Sequence, residues 1–234
     1  MRLVRSLLFV GAFYVWSTFV AILMLPLLLG PGRWMSAAMD VWARGIIALL
    51  PICGVRVEFR GLNHLPSGAA LIAGKHQCMF DTMGPLVVLA RPCYVMKKEL
   101  TRIPFYGWFS AKSGMIVVDR EGEAKALRAL LSEAKKRVEE GRQVVIFPEG
   151  TRMAPGIAGD YQPGIAGLYR TLGLPCVPMA TNSGVHWPAH GFLRKPGKIV
   201  FEFLEPIAPG MRREAFMAEL ERRVETASTR LLGE

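Results

Sequence analysis

Residues 70–82 read ALIAGKHQCMFDT. A short apolar run passes directly into a polar cluster, and this join decides how the chain is to be read. ALIAG has the length and composition of a buried strand. Asp81 and Thr82 are residues that start helices, and TMGPLVVLA continues from them as an expected buried helix. His76 and Asp81 stand five positions apart, about 500° around a continuous helix, so a single helix would not bring them together. They meet if His76 ends the strand and Asp81 lies in the first turn of the helix that follows. The stretch is therefore read as a strand–loop–helix unit carrying an acid–base pair.

Working outward, the same alternation recurs. VRVEFRG (55–61) alternates with period two, and CYVMKKE (93–99) and GMIVVDR (114–120) are further strands. EAKALRALLSEAKKRVEEG (123–141) is the clearest helix, with Leu127, Leu130, Leu131, Ala134 and Val138 on one stripe and Gly141 as its stop. QVVIFPEG (143–150) is a strand leading to a glycine-containing loop, and a short helix follows around IAGLYRTLG (165–173). CVPMA (176–180) and KIVFEFLEP (198–206) are late strands, and a charged helix begins near Met211. Such alternation predicts an α/β fold, a layered domain with a mostly parallel mixed sheet flanked by helices.

The first 53 residues differ. From Leu7 to Leu29 there is no charge, and these residues at 1.5 Å each cover about 35 Å, enough for a hydrocarbon core. The run is too long for the core of a cleaved signal peptide, so a retained membrane element is expected. After a Pro31-Gly32 turn, Trp34–Pro51 has helical periodicity with only Asp40 and Arg44 charged. Arg2 and Arg5 precede the first segment and Arg33 follows it, which disfavours a single crossing. A hairpin that enters one leaflet and returns keeps all three on one side. The division expected is 1–53 as an N-terminal two-helix membrane-associating hairpin and 54–234 as the main domain.

The net charge of +10 suits anionic lipid headgroups. Nucleic acid is disfavoured as a partner, because the basic residues are scattered and no recognition motif is present. Cys53, Cys78, Cys93 and Cys176 show neither CxxC pairing nor zinc spacing and read as free thiols of a reducing compartment. In HWPAH (186–190), Pro188 separates the two histidines, so no metal site is expected.

In parallel α/β sheets ligands gather at the carboxyl ends of strands. Three polar clusters follow apolar runs here: KHQCMFD after ALIAG, DR after GMIVV and PEGTR after QVVIF. His76 suits a general base, with Asp81 fixing its tautomer. No serine nucleophile accompanies them, so the substrate must bring its own hydroxyl; the alternative is Cys78 as a covalent nucleophile. Arg152 can grip a phosphate with two N–H groups, and the Gly150 and Thr151 amides are further donors. Arg120 ends another strand and could join them, while Glu149 could instead pair locally with Arg152.

HQCMFD resembles the HxxxxD motif of the glycerolipid acyltransferases, and GMIVVDR, FPEGTR and VPMA resemble that family's later blocks in the same order. The resemblance spans roughly residues 55–205 and is nearest to the bacterial 1-acylglycerol-3-phosphate acyltransferases. It implies that His76 is the base and Asp81 its partner. It also implies that Arg120, Glu149, Gly150 and Arg152, with Thr151 beside them, bind the acceptor's glycerol phosphate, and that Val177–Ala180 shape the donor side. The expected donor is acyl-CoA or acyl-acyl carrier protein, the product phosphatidic acid, and no cofactor or metal is implied. The expected location is the cytoplasmic face of the cell inner membrane. Departures are Lys75 where many members carry asparagine, Cys78 where serine is common, and YQPG (161–164) without the lysine often found there. Another lysolipid, such as lyso-ornithine lipid, is the alternative acceptor. An inactive membrane-surface lipid-binding protein is the alternative of another class.

Overall fold

The structure, a computed structural model, describes residues 1–119 and 123–234, and Arg120 lies outside them. The strands are β1 (Val55–Arg60), β2 (Ala70–Gly74), β3 (Pro92–Lys97), β4 (Ile116–Val118), β5 (Gln143–Ile146), β6 (Cys176–Thr181) and β7 (Gly197–Phe203). They form one sheet in the order β1-β7-β6-β2-β5-β3-β4. The five strands from β6 to β4 are parallel, β7 is antiparallel to β6, and β1 is parallel to β7. All the parallel strands end on one edge, so the loops after Gly74, Ile146 and Thr181 converge there.

Side chains alternate across the central strands as the pleat requires. Ile72, Val145, Val177 and Met179 face one side, and Leu71, Ala73, Val144 and Ile146 the other. The second face is covered by α4 (Glu123–Glu139), α5 (Gly164–Leu172) and α7 (Arg213–Leu231), which contribute Ala134, Leu168, Phe216 and Leu220. The first is covered by α1 (Arg2–Met24) and α2 (Gly32–Leu49), whose Phe9, Ala43 and Ile46 are wholly buried in the same cluster as Ile72. Residues 1–53 are thus a layer over the sheet as well as a hairpin.

The hairpin is tied down at both ends. At its base Arg5 donates to the Ile52 carbonyl at 2.7 Å, Arg2 to the Arg194 carbonyl at 3.0 Å, and the Arg194 amide to Ser6 Oγ at 3.0 Å. At its turn, Phe109 of α3 (Tyr106–Lys112) packs with Val20, Met24 and Met35. Gly32 lies so close to α3 that a Cβ there would stand 2.6 Å from the Lys112 carbonyl oxygen. Arg33 therefore sits at the opposite end from Arg2 and Arg5. The charges share one side only if the hairpin lies flat against the domain; inserted turn first, it would carry Arg33 into lipid.

Between the two helices, Trp16 donates to the Trp42 carbonyl at 2.9 Å and Trp42 to Ser17 Oγ at 3.0 Å. Gly45 makes room for the Trp16 ring, since a Cβ there would lie 2.1 Å from it. Alanine gains about 1 kcal/mol of helix propensity over glycine, but overpacking costs about 1–3 kcal/mol. With so severe an overlap packing wins, and Gly45→Ala is expected to lower the melting temperature by several degrees in a thermal scan.

One expected element differs, and two others appear that the sequence did not signal. TMGPLVVLA is not one helix but two short 3-10 turns, Met79–Thr82 and Gly84–Val87. Pro85 cannot donate to a preceding turn, and Gly84 lies against Phe201, so closely that a Cβ there would stand 2.6 Å from the ring. Neither α3 nor the single turn α6 (Ser183–His186) was expected, both being too short to show a helical period.

Candidate active site

His76 follows β2 by two residues, and Asp81 lies in the first 3-10 turn after it. Asp81 Oδ2 is 3.1 Å from His76 Nδ1 and also accepts the amides of Gln77 at 2.6 Å and Cys78 at 2.8 Å. Its Oδ1 accepts the Ser183 hydroxyl, which arrives from just beyond β6. Because the carboxylate only accepts, Nδ1 carries the imidazole proton and Nε2 keeps its lone pair. The Phe147 ring stacks on the imidazole, centroids 4.2 Å apart and planes 17° from parallel, which limits its rotation. Asp81 is wholly buried, whereas the His76 side chain retains 16% exposure, enough to meet a substrate.

Cys78 shares this loop but not the chemistry of a nucleophile. Burial, with Asp81 nearby, holds its thiol well above the ordinary range, and its Sγ donates to Ser183 Oγ at 3.3 Å. A buried thiol of this kind is inert.

Glu149 does not pair with Arg152. Its side chain is fully buried and accepts Lys75 Nζ at 2.6 Å and the Gly159 amide at 3.0 Å on Oε1, and the His76 amide at 3.2 Å on Oε2. The Met153 amide meanwhile donates to the His76 carbonyl at 2.8 Å, so the loop after β5 holds the His76 backbone from both sides. Gly150 adopts φ 65° and its amide donates to the Phe147 carbonyl at 2.9 Å, so the expected use of that N–H for a ligand gives way to closing the turn.

Thr151 and Arg152 are exposed beside this turn. Arg152 donates to the Ala189 carbonyl at 3.2 Å, and no carboxylate lies within ion-pair distance of it among the described residues. It borders a cavity of about 250 Å³ walled by Phe9, Phe13 and Tyr14 of α1, with Met79 and Arg194 also lining it. The aromatic wall from the hairpin thus meets two arginines set among apolar and aromatic residues of the domain, and Arg152 is the residue before Met153, whose amide holds His76.

Of the fourth block, Val177, Met179 and Ala180 are buried in β6, and the Met179 carbonyl accepts the Lys75 amide at 2.9 Å. Sequence reasoning missed three contributors. Ser183 was signalled only by the polar TNS that follows the strand. Lys75 was noted as a departure and is now placed on Glu149. Glu225, in the middle of α7, carried no local signal.

The family described as Acyltransferase matches residues 56–182. A 1-acyl-sn-glycerol-3-phosphate acyltransferase of Pseudomonas aeruginosa is 32% identical over 97% of this chain and 88% of its own. The human 1-acyl-sn-glycerol-3-phosphate acyltransferase alpha is 29% identical over 74% of this chain and 62% of its own. The crystal structure of the 1-acyl-sn-glycerophosphate acyltransferase from Thermotoga maritima shares the fold, with a TM-score of 0.83 at 22% identity over 100% of this chain and 99% of that one. With the matched family region spanning more than half of its length, the chain belongs to the acyltransferase family.

Proposed function

We propose that the protein acylates the free hydroxyl of 1-acylglycerol 3-phosphate to give phosphatidic acid, drawing on acyl-CoA or acyl-acyl carrier protein. The observation that carries this reading is a His–Asp pair with no protein nucleophile beside it among the described residues, its backbone held by Met153, the neighbour in sequence of Arg152, which has no carboxylate partner among the described residues and borders the cavity walled by α1. Nε2 of His76 takes the hydroxyl proton as that oxygen attacks the thioester carbonyl. The imidazolium, stabilised by Asp81, returns the proton to the departing thiolate. No covalent enzyme intermediate forms.

Arg152 grips the phosphate while the acyl chain of the acceptor lies along the wall from α1. Glu149, engaged by Lys75 and two backbone amides, acts in this reading as a brace for His76. Arg152→Ala is expected to raise the acceptor KM by roughly 10- to 100-fold, the loss of a charge-assisted bond, with kcat changing less. A rise confined to the donor KM would remove the phosphate role.

The protein works at the cytoplasmic face of the inner membrane. Leu8, Val15, Phe19 and Leu23 expose more than half their surface on the outer side of α1, a contiguous apolar strip of the kind that marks a lipid contact. Both α1 and α2 are long and apolar enough to cross a membrane. Their attachment at base and turn instead favours a hairpin lying along the bilayer surface beneath the domain. Val15→Glu with Phe19→Glu is expected to abolish co-sedimentation with anionic vesicles at an unchanged melting temperature; retained sedimentation would contradict this docking face.

The deciding experiment is acyl transfer by the purified protein in detergent. Labelled acyl-CoA and acyl-acyl carrier protein are each offered with lysophosphatidic acid, glycerol 3-phosphate or lyso-ornithine lipid. Phosphatidic acid from lysophosphatidic acid supports the reading and identifies the donor. Product from lyso-ornithine lipid alone moves Arg152 to another headgroup. No product from any pair leaves an inactive lipid-binding protein.

A further inference from the structure

Lys75 is a lysine with 1% side-chain exposure, immediately before His76. Its ammonium meets Glu149 Oε1 at 2.6 Å, both carboxylate oxygens of Glu225 at 2.8 and 2.9 Å, and the Ile157 carbonyl at 2.8 Å. Glu225 stands 150 residues away in α7, with 19% side-chain exposure, and accepts a further bond from the Tyr161 hydroxyl at 3.1 Å. Burying such a group weakens a fold more often than it strengthens it, and its best-attested use is to fix register. What it fixes here is visible in the chain of bonds. Glu225 orients Lys75, Lys75 orients the Glu149 carboxylate, and Glu149 receives the His76 amide.

We propose that Glu225 is a positioning residue for acyl transfer, acting through Lys75 and Glu149 to hold the His76 peptide in register with the loop after β5. The inference rests on His76 being the base. The C-terminal helix then does more than cover the sheet: Glu225 and Tyr161 lock a cation whose removal from place lets the base drift.

The test is a double-mutant cycle on the full chain in detergent, measuring kcat, both KM values and the melting temperature. Glu225→Gln keeps the shape but leaves one acceptor and no charge. It is expected to lower kcat about tenfold, in the range of couplings between contacting residues, with both KM values within about twofold. In a Lys75→Asn background the same change is expected to alter kcat less than about twofold, because its partner is gone. Tyr161→Phe, a milder change that keeps the charges, is expected to lower kcat about threefold and serves if Glu225→Gln does not fold. The proposal is overturned if Glu225→Gln leaves kcat within twofold of wild type, if the loss is equal in both backgrounds, or, where Tyr161→Phe has to stand in, if that variant keeps full turnover. His76→Ala in the same assay separates the two levels. Turnover surviving that change removes the base assignment, whereas its loss beside a normal Glu225→Gln removes only the coupling.

Discussion

Replacing His76 by alanine is expected to lower turnover by at least about 10²-fold with the fold intact, the usual contribution of a general base being about 10²–10⁴-fold. The effect should be large because nothing described nearby can replace it. Cys78 is buried and held protonated, and Ser183 is spent on Asp81. The fold should survive because the imidazole is partly exposed and its only side-chain bond among the described residues is to Asp81, which keeps the Gln77, Cys78 and Ser183 donors without it. Circular dichroism and a thermal scan check the fold, and steady-state acyl transfer to lysophosphatidic acid checks the rate. Near-normal turnover would mean that the acceptor hydroxyl loses its proton elsewhere. The position of Asp81 sharpens the expectation, since its carboxylate fixes Nδ1 as the protonated nitrogen and leaves Nε2 to work.

The nearness of His76 and Asp81 was legible because it depends on local order: a buried strand, a five-residue step and a helix-starting pair lie together in sequence. The strands were legible for the same reason, each carrying its own pattern of period two or its own apolar run. The 3-10 turns were not, because the close packing of Gly84 on Phe201 involves a residue far away in the chain. Nor was the layer formed by residues 1–53. An apolar stretch reads as a membrane element whichever side it presents, and only tertiary contact shows that Phe9 and Ile46 belong to the core while Val15 and Phe19 face out. Glu149 is the sharpest case. FPEGTR puts it three residues from Arg152, and an ion pair or a shared ligand is the natural expectation. Lys75, just past the end of β2, reaches it first.

That competition gives a second large effect. Glu149→Ala removes the acceptor for Lys75, for the His76 amide and for the Gly159 amide at once. Breaking one side of a buried ion pair costs about 3–5 kcal/mol; the remaining Glu225 contact keeps the loss toward the lower figure. With a per-residue unfolding entropy typical of globular proteins, that corresponds to a fall in melting temperature on the order of 6–10 °C. The kinetic signature separates the two roles open to this residue. As a brace, its loss lowers kcat while the acceptor KM stays nearly constant, because the His76 peptide is no longer held opposite the bound hydroxyl. As a direct ligand of the acceptor's glycerol phosphate, its loss raises the acceptor KM with kcat largely kept. Buried as it is, with each oxygen already receiving a bond from within the domain, Glu149 is expected to show the first pattern. The resemblance to its family would then locate the residue correctly while assigning its work to the wrong partner.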